Sequence, residues 1–226
     1  MKGFSLLLIL IVSAKSGLFA QQSNAVLLRE AESKLQKGSS LSQILTDKKY
    51  DALHPETSFR EMIKNYCKAE TISIVTDTIP GRKIKVIGTV KTDNGKPAPG
   101  VTVYLYHTDS RGWYAVDKPH VGGNEGDRGH ARLFGYVKTD KDGKFELHTI
   151  KPKGYPQSDL PAHIHIEISA PGYQPVVTEF LFDDDERLID QIRQRAIQEG
   201  FIIAKPEKTI SPFEQQFSYT LQLIKQ

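Results

Sequence analysis

The sequence predicts a mainly β fold: an antiparallel β-sandwich core with an N-terminal helical arm and a short C-terminal helix. After Thr71, six or seven short apolar segments alternate with turn residues, a spacing typical of β-sandwiches. Before Thr71, apolar residues recur at helical spacing instead. Hydrophobic residues make up 38% of the chain, enough for a packed core and too many for wholesale disorder. We therefore divide the chain into residues 1–20, 21–70 and 71–226.

Residues 1–20 are typical of an export signal. Lys2 supplies a positive start, and the apolar stretch from Phe4 to Ala14 is too short to span a bilayer. Ala20 precedes the expected cleavage point. We expect a signal peptide whose removal leaves a secreted or periplasmic protein with no membrane association. The alternative is an anchor helix that is never removed.

Residues 21–70 are predicted to form a helical arm. Ala31 and Leu35 belong to a first helix, in which charged residues fill the positions between apolar ones. A second helix is predicted to begin near Ser40, and Ser58 is predicted to cap a third. Because such an arm has little core of its own, we expect it to pack on another surface, and a second subunit of a homo-oligomer is one candidate.

Residues 71–226 are predicted to form the β domain. A long glycine-rich stretch, Asp109 to Arg132, interrupts the strands, and a loop of this length is usually functional or disordered. A helix is predicted over Asp184 to Gln198, before a closing strand. The predicted strands include Val101–Tyr106, Leu133–Val137, Lys144–Leu147, His163–Ile168, Val176–Phe182 and Phe217–Leu223.

Charge and cysteine content exclude several classes of partner and site. The formal net charge is +3, and Lys2 and Lys15 in the predicted signal contribute two of these charges. A near-neutral body without a block of basic residues argues against nucleic acid or an anionic membrane as main partner. The one cysteine, Cys67, excludes an internal disulfide framework and a cysteine-based metal cluster.

The pair His163 and His165 is the sharpest local feature. In a strand, residues two apart point to the same face, so the two imidazoles would lie side by side as in a metal chelate. Imidazole suits zinc, copper, iron and nickel. Glu167 has the same parity and would share that face. Two ordinary surface or core histidines remain the alternative, because the pattern is short.

Two loop tyrosines, Tyr114 and Tyr155, stand at positions where tyrosine is unusual. A loop tyrosine is ordinarily an amphipathic surface side chain. A free phenol has a pKa of about 10, but contact with a highly charged cation removes its proton. Two phenolates together with two neutral imidazoles would make a hard, anionic site well matched to Fe(III).

These residues resemble the motifs of the intradiol ring-cleavage dioxygenases, which include the catechol 1,2- and protocatechuate 3,4-dioxygenases. The resemblance covers about residues 80–185 and is most specific around Tyr155 and the histidine pair. It runs through Pro99-Gly100-Val101, Gly112-Trp113-Tyr114, Thr139 to Gly143, Thr149 to Pro152, Tyr155-Pro156 and Pro161 to His165.

The resemblance implies a ligand set and a reaction. Tyr114, Tyr155, His163 and His165 would hold a non-haem Fe(III) on a β-sandwich core. The small-molecule partners would be a catechol and O₂, and the product a muconate-type diacid. Tyr155 resembles the tyrosine that leaves the iron and helps to take up a substrate proton.

The sequence departs from that family's pattern at Leu160 and Glu179, where the usual members have arginine and glutamine. Arginine stabilises developing negative charge and leucine does not, so rate and substrate class are in doubt more than iron binding. Three arginines of the long loop are candidate substitutes, although a solvated-loop role is favoured: Arg111, Arg128 and Arg132. Structural or solvent-facing roles are likewise favoured for His120 and His130.

Two other functions remain open on the sequence. The turns around Asn94 to Pro97 and Thr139 to Phe145 also fit secreted transthyretin-like β-sandwich modules that bind without catalysis. This alternative explains the strands but not Tyr155 with the histidine pair. The other is a dioxygenase homologue that binds iron without turnover.

Overall fold

The computed structural model describes residues 23–207 and 212–226. The predicted signal peptide, residues 1–20, lies outside these ranges. Within them, no helix combines the length and apolar character needed to cross a membrane.

Three α-helices and one 3-10 helix build the N-terminal arm. They are α1 (23–36), α2 (Leu41–Thr46), a 3-10 helix (Lys48–Leu53) and α3 (Thr57–Tyr66). The predicted start near Ser40 is confirmed: its hydroxyl accepts from the Gln43 backbone N–H at 3.2 Å, and the Gln43 side chain accepts from the Ser40 backbone. The cap predicted at Ser58 was wrong, because α3 begins at Thr57 after Glu56, whose side chain makes no capping hydrogen bond.

Eleven strands are described in these ranges. The bounds are β1 (Thr71–Ser73), β2 (Lys83–Lys91), β3 (Thr102–His107), β4 (Leu133–Lys138), β5 (Lys144–Ile150), β6 (His163–Ser169), β7 (Tyr173–Gln174), β8 (Val176–Phe182), β9 (Ile202–Ala204), β10 (Gln215–Gln222) and β11 (Ile224–Lys225). Each long predicted strand is present within a few residues of its expected bounds.

The strands form two principal sheets, and both are mixed. One has the order β1-β5-β2-β10, the other β4-β3-β6-β8-β9, and β7 pairs with β11 in a small ribbon. The prediction of an all-antiparallel sandwich was wrong: β1 with β5, β2 with β10 and β8 with β9 are parallel pairs. Parallel partners need a long crossover, and these pairs join strands separated by other elements, so local turn signals do not reveal them.

The two principal sheets face each other across an apolar core. Phe182 of β8 and Phe217 of β10 meet edge to face with ring centroids 5.0 Å apart, and both are fully buried. Phe180 contacts Phe217 and Tyr219 in the same layer. Aromatic side chains from the two sheets thus pack edge to face, and their burial stabilises the contact between the sheets.

The helical arm packs on this β domain of its own chain. Ala31, Leu35, Phe59 and Ile63 are buried in the same core cluster as the strand residues. Phe59 meets Phe134 of β4 edge to face at 6.4 Å. We expected the arm to pack on another surface, and that surface is a sheet of the same chain.

Two further helices lie outside the arm. A short helix, α4 (Asn124–His130), lies in the stretch that was predicted as a loop. The last helix, α5 (Asp190–Gln198), begins six residues later than predicted. The segment before it turns instead, since the Asp185 carboxylate accepts from the backbone N–H groups of Ala162 and Arg187. This turn ties the start of β6 to the approach to α5.

Candidate metal centre

Strand β6 carries the histidine pair in the middle of the larger sheet. It is hydrogen-bonded to β3 on one side and to β8 on the other. Ile164 and Ile166 point into the core and are fully buried, so His163 and His165 both point to the opposite face. Their ring centroids are 4.7 Å apart, which confirms the side-by-side arrangement predicted from their spacing.

Two loops bring the tyrosines to that face, and they touch at a pair of glycines. A Cβ on Gly112 would lie 2.4 Å from the carbonyl oxygen of Gly154, and Gly112 also has a positive φ of 84°. Only glycine permits this approach without strain. Because Tyr114 and Tyr155 follow these glycines closely, the contact sets the spacing of the two phenols.

Asp109 organises the loop that carries Tyr114. Its carboxylate, which is buried, accepts from the backbone N–H groups of Arg111 at 2.8 Å and Trp113 at 3.1 Å. The Arg111 side chain pairs with the same carboxylate and stacks on the Trp113 ring. Tyr114 is thereby held from its own loop, and its side chain is 1% exposed.

The four predicted site residues come together as a continuous chain of polar atoms. His165 Nε2 lies 2.8 Å from Tyr114 Oη, which lies 2.7 Å from Tyr155 Oη, which lies 2.9 Å from His163 Nε2. Two of these atoms belong to residues of strand β6, and the other two belong to residues of the adjoining loops. Two oxygens and two nitrogens thus converge on one point of the sheet face.

The other ring nitrogens fix which atoms of the histidines face inward. His163 Nδ1 lies 2.9 Å from the carbonyl oxygen of Pro161, so Nδ1 carries the hydrogen and the Nε2 lone pair is directed at the Tyr155 hydroxyl. His165 Nδ1 lies 3.5 Å from a carboxylate oxygen of Glu179. Such outer partners are typical of metal-binding histidines, because they orient the ring and raise its basicity.

Burial determines the protonation of the cluster when no cation is bound. It raises the pKa of Tyr155 to about 12 and the pKa of Tyr114 well above the usual value, since a buried phenolate is poorly solvated. It also lowers the pKa of His165 to about 3, with His163 nearby adding to the effect. A bound cation would reverse the balance for the phenols while suiting the neutral imidazole.

The donor set and burial fit a metal ion. His163, His165 and Glu179 present ligand atoms within 4.8 Å of one another, and the two phenols add oxygen donors to this group. Neutral nitrogens and ionisable oxygens together suit a first-row transition metal. A cavity of about 680 Å³ opens beside the cluster and reaches Tyr155 and both histidines.

The three arginines that were considered as replacements for the family's arginine, where this chain has Leu160, occupy different places in the structure. Arg111 and Arg132 both pair with Asp109, at 2.7 and 3.6 Å. Arg128 instead lines the cavity and pairs through two nitrogens with Glu167. Leu160 also lines the cavity and is half-exposed.

The two loop histidines differ. The His120 ring lies against the Tyr155 ring at a centroid distance of 4.8 Å, and its Nδ1 lies 2.9 Å from the buried Asp127 carboxylate. Both fit the favoured structural or solvent-facing role: His120 borders the cluster from an exposed position held by Asp127, and His130 is exposed.

Sequence reasoning missed the wall that α5 supplies. Ile192, Arg195 and Ala196 line the cavity from this helix, and Glu199 lines it from the position directly after the helix. Their spacing of three and four residues is the signal that would have marked one helix face. Reading that face required knowing that α5 lies over the sheet, which its own periodicity does not reveal.

Arg60 is a second residue that sequence reasoning missed. This buried side chain donates to the backbone carbonyls of His54, Ala131 and Arg128, and also to the Tyr104 hydroxyl. It thereby fixes the C-terminal end of α4 to the helical arm. The arm thus supports α4, the helix that carries Arg128 to the cavity.

Comparisons with known proteins agree with this geometry. A family model described as "Dioxygenase" matches residues 59–225. Chlorocatechol 1,2-dioxygenase of Rhodococcus opacus is 30% identical over 126 residues, 48% of this chain and 47% of that protein. Catechol 1,2-dioxygenase 1 of Acinetobacter lwoffii is 32% identical over 119 residues, 46% of this chain and 37% of that protein. The chain thus spans about half the length of the curated relatives it matches, or less.

Solved structures share the fold. The dioxygenase domain of a dioxygenase–carbohydrate-binding fusion from Streptomyces sp. SirexAA-E superposes with a TM-score of 0.54 and 25% identity, covering 71% of this chain and 90% of that one. Catechol 1,2-dioxygenase from Pseudomonas arvilla C-1 gives a TM-score of 0.55 at 24% identity, covering 70% and 57%. The second similarity is one of fold.

Proposed function

The chain belongs to the intradiol ring-cleavage dioxygenase family, and from that premise we propose that it cleaves a catecholic ring with O₂ at a non-haem ferric site. The observation that carries the proposal is the chain of four polar atoms from His165 through Tyr114 and Tyr155 to His163. The relatives named for catechol and chlorocatechol 1,2-dioxygenation support the choice of substrate.

Tyr114, Tyr155, His163 and His165 would hold the ferric ion. A bound ferric ion would act as a Lewis acid and as a template for the two oxygens of the catechol. Two phenolates would balance much of its charge, and the imidazoles of His163 and His165, the latter kept neutral by burial, would complete the set. Glu179 would orient His165 from behind.

Tyr155 is the residue best placed to move a proton. It lines the cavity and is only half-buried, whereas Tyr114 lies fully buried behind it. The pKa of Tyr155 is raised to about 12 without a cation, so its Oη holds a proton firmly once it is no longer stabilised by positive charge. Tyr155 would thus accept a proton from a substrate hydroxyl.

The side chains around these four residues would orient the catechol and shield its aromatic ring. His120 packs against Tyr155 from the loop side and is held by Asp127. Tyr106 stacks on His165 with ring centroids 4.4 Å apart, which fixes the imidazole plane. Cleavage between the two hydroxyl-bearing carbons would place both atoms of O₂ in a muconate-type diacid.

Oxygen uptake by the iron-loaded full chain tests the proposal. With a simple catechol we expect consumption of O₂ and, from isotopically labelled O₂, a ring-opened diacid that carries label on both new carboxyl groups. A product cleaved beside the hydroxyl-bearing carbons, or no uptake with any catechol, would contradict it.

An iron protein without turnover is the second candidate, and Leu160 and Glu179 favour it. Neither supplies the positive charge that would stabilise a developing anion. A catechol that shifts the visible absorption of the iron-loaded protein without any O₂ consumption would identify this function.

We also propose export of the chain, from Lys2, the apolar stretch and Ala20. N-terminal sequencing of protein recovered outside the cytoplasm should give a start near Gln21. Full-length protein retained in the cytoplasm would contradict this.

A further inference from the structure

The cavity beside the metal centre has an apolar end and a charged end. At the apolar end Leu181, which pairs with His163, packs in a cluster of apolar side chains from α5 and the segment after it. At the other end Glu167 pairs with Val177. The four residue steps from His163 to Glu167 correspond to about 13 Å along β6. We call the part of the cavity beyond His165 the charged end.

Carboxylates outnumber guanidinium groups in the cavity lining. Among the described residues, the charged side chains of the lining are Glu125 and Arg128 of α4, Glu167 of β6, Glu179 of β8, Arg195 of α5 and Glu199. Four carboxylates against two guanidinium groups leave a formal charge of −2. An occupant of this cavity therefore meets a negative field.

Both arginines of the lining already have carboxylate partners. Arg128 holds Glu167 through two of its nitrogens, and Arg195 pairs with Glu199 at 2.8 Å. The backbone just past Glu199 accepts a hydrogen bond from the Thr178 hydroxyl at 3.2 Å, which places this second pair beside the start of β8. Neither guanidinium group is thus left for an anionic occupant.

The two other carboxylates carry the surplus charge. Glu179 faces His165 at 3.5 Å, and an imidazole must be neutral to bind a metal, so this pair has no cation. Glu125 lies 4.0 Å from Arg128, which already holds Glu167. A cation that enters the cavity would meet carboxylates whose charge is not balanced.

Tyr106 of β3 independently indicates a polar occupant. Its side chain lines the cavity, is only 6% exposed and stacks on His165. Within residues 23–207 and 212–226 its hydroxyl has no hydrogen-bond partner, yet this oxygen is not sealed in the core as the unpartnered Tyr219 hydroxyl is. The Tyr106 hydroxyl therefore opens into the cavity and is available to an occupant.

Tyr106 stands between the metal centre and the charged end. Strands β3 and β6 pair so that Tyr106 faces His165 and the next outward residue, Tyr104, faces Glu167. The rings of Tyr104 and Tyr106 stack with centroids 5.3 Å apart. A substituent that runs towards the charged end from a ring bound at Tyr155 would pass the Tyr106 hydroxyl.

From these observations we infer that the preferred substrate is a catechol whose substituent ends in a positively charged amine, which donates to the Tyr106 hydroxyl and lies among the carboxylates of the charged end. The inference rests on the proposed function for the ring and its metal site. An alkyl substituent would leave the hydroxyl without a partner, and a carboxylate would be repelled.

Four catechols with substituents of equal length test the inference on the iron-loaded full chain. They are 4-(2-aminoethyl)catechol, 4-(2-hydroxyethyl)catechol, 4-propylcatechol and 3,4-dihydroxyphenylacetate. We measure kcat/KM from O₂ uptake and affinity from calorimetric titration without O₂. In both, the amine should exceed the propyl compound by about tenfold, as one hydrogen bond to a charged group provides, and the carboxylate should fall below it. Added salt should narrow these differences.

Removal of one hydroxyl tests the role of Tyr106. Tyr106→Phe keeps the ring on His165, and we expect the ratio of the amine to the propyl compound to fall by about fivefold in both measurements. Tyr136→Phe is the matched control. Tyr136 stacks on Tyr104 in the same sheet but does not line the cavity, so the ratio should stay as it is.

Removal of one carboxylate tests the role of charge. Glu167→Gln takes a negative charge from the lining and frees Arg128, so the ratio of the amine to the carboxylate compound should fall by about tenfold. Glu146→Gln removes the same charge from β5, in the other sheet, where Glu146 pairs with His148. This control should leave the ratio unchanged.

The outcomes separate this inference from the proposed function. An amine no better than the propyl or hydroxyethyl compound, or ratios that neither Tyr106→Phe nor Glu167→Gln changes, would overturn the inference even if catechol is cleaved. Absence of O₂ uptake with all four compounds would contradict the proposed function. The titrations would then decide the inference on binding alone, and an amine that does not bind would overturn it.

Discussion

The two halves of the site are built differently. The histidine half lies on β6, which is hydrogen-bonded along both edges and is therefore fixed by the sheet. The tyrosine half lies on two loops that meet at Gly112 and Gly154 and depend on a few side-chain contacts such as those of Asp109. The difference indicates that the strand supplies permanent donors, whereas the loops supply the donors able to shift.

Removal of a strand histidine should have the largest effect. His163→Ala or His165→Ala deletes a neutral nitrogen donor from the rigid half, and we expect iron affinity to fall by more than about a hundredfold, beyond the effect of losing an outer partner. Metal analysis after dialysis measures this. His148→Ala on β5, in the other sheet, is the control and should retain iron. Retention of iron by both site variants would mean that the tyrosines alone hold it.

The glycine contact between the loops should be the next most sensitive point. Gly112→Ala places a Cβ 2.4 Å from the Gly154 carbonyl oxygen at a positive φ, so we expect a loss of roughly 2–4 kcal/mol in unfolding free energy, from backbone strain plus overpacking. Denaturant unfolding measures it.

Gly95→Ala provides the matched control for that substitution. Gly95 has a similar positive φ of 80° but nothing within 4 Å of its Cβ position. It should lose only about 1 kcal/mol, the cost of the backbone conformation. Equal losses in the two variants would show that the loops do not meet as described.

Acid should destabilise the iron-free protein through β3, the strand that pairs with the histidine-bearing strand β6. His107 of β3 is fully buried between Thr108 and Thr149, and burial lowers its pKa to about 4 from the usual value of about 6.5. The unfolded chain therefore binds more protons than the folded one in this range. Stability should be full above about pH 6.5 and fall as pH drops towards 4, by about 3 kcal/mol for this residue.

Urea unfolding at several pH values measures this dependence. His107→Gln should reduce the slope below pH 6.5, whereas His130→Gln, at an exposed histidine, should not. The dependence of unfolding free energy on pH that remains in His107→Gln comes from the other buried histidines, His54 and His165, whose pKa values burial also lowers. A slope that is unchanged in His107→Gln would contradict the buried neutral ring.

The smallest effect is expected at Leu160, which lines the cavity. Leu160→Arg adds a cation at a half-exposed position beside Tyr155 and the histidines. We expect kcat on simple catechol to rise by up to about tenfold, since a cation stabilises developing negative charge. Leu160→Met is the control of similar size, and a rise in that variant would assign the effect to shape.

The same contrast explains what the sequence could predict. The histidine pair followed from the two-residue period of a strand, which any alternating segment reveals. The tyrosines stood out as unusual loop residues, but their place in the ligand set came from the resemblance, since loops have no period from which to infer that Gly112 meets Gly154. The parallel pairs and the placement of α5 over the cavity were missed because they depend on partners distant in sequence.

The visible spectrum of the iron-loaded protein tests the central claim most directly, because a phenolate bound to ferric iron gives a charge-transfer band. We predict a reddish protein with stoichiometric iron, in which Tyr155→Phe and Tyr114→Phe each shift and weaken the band. A protein that takes up no ferric ion, or whose band is the same in both variants, would contradict a site built from two loop tyrosines and two strand histidines.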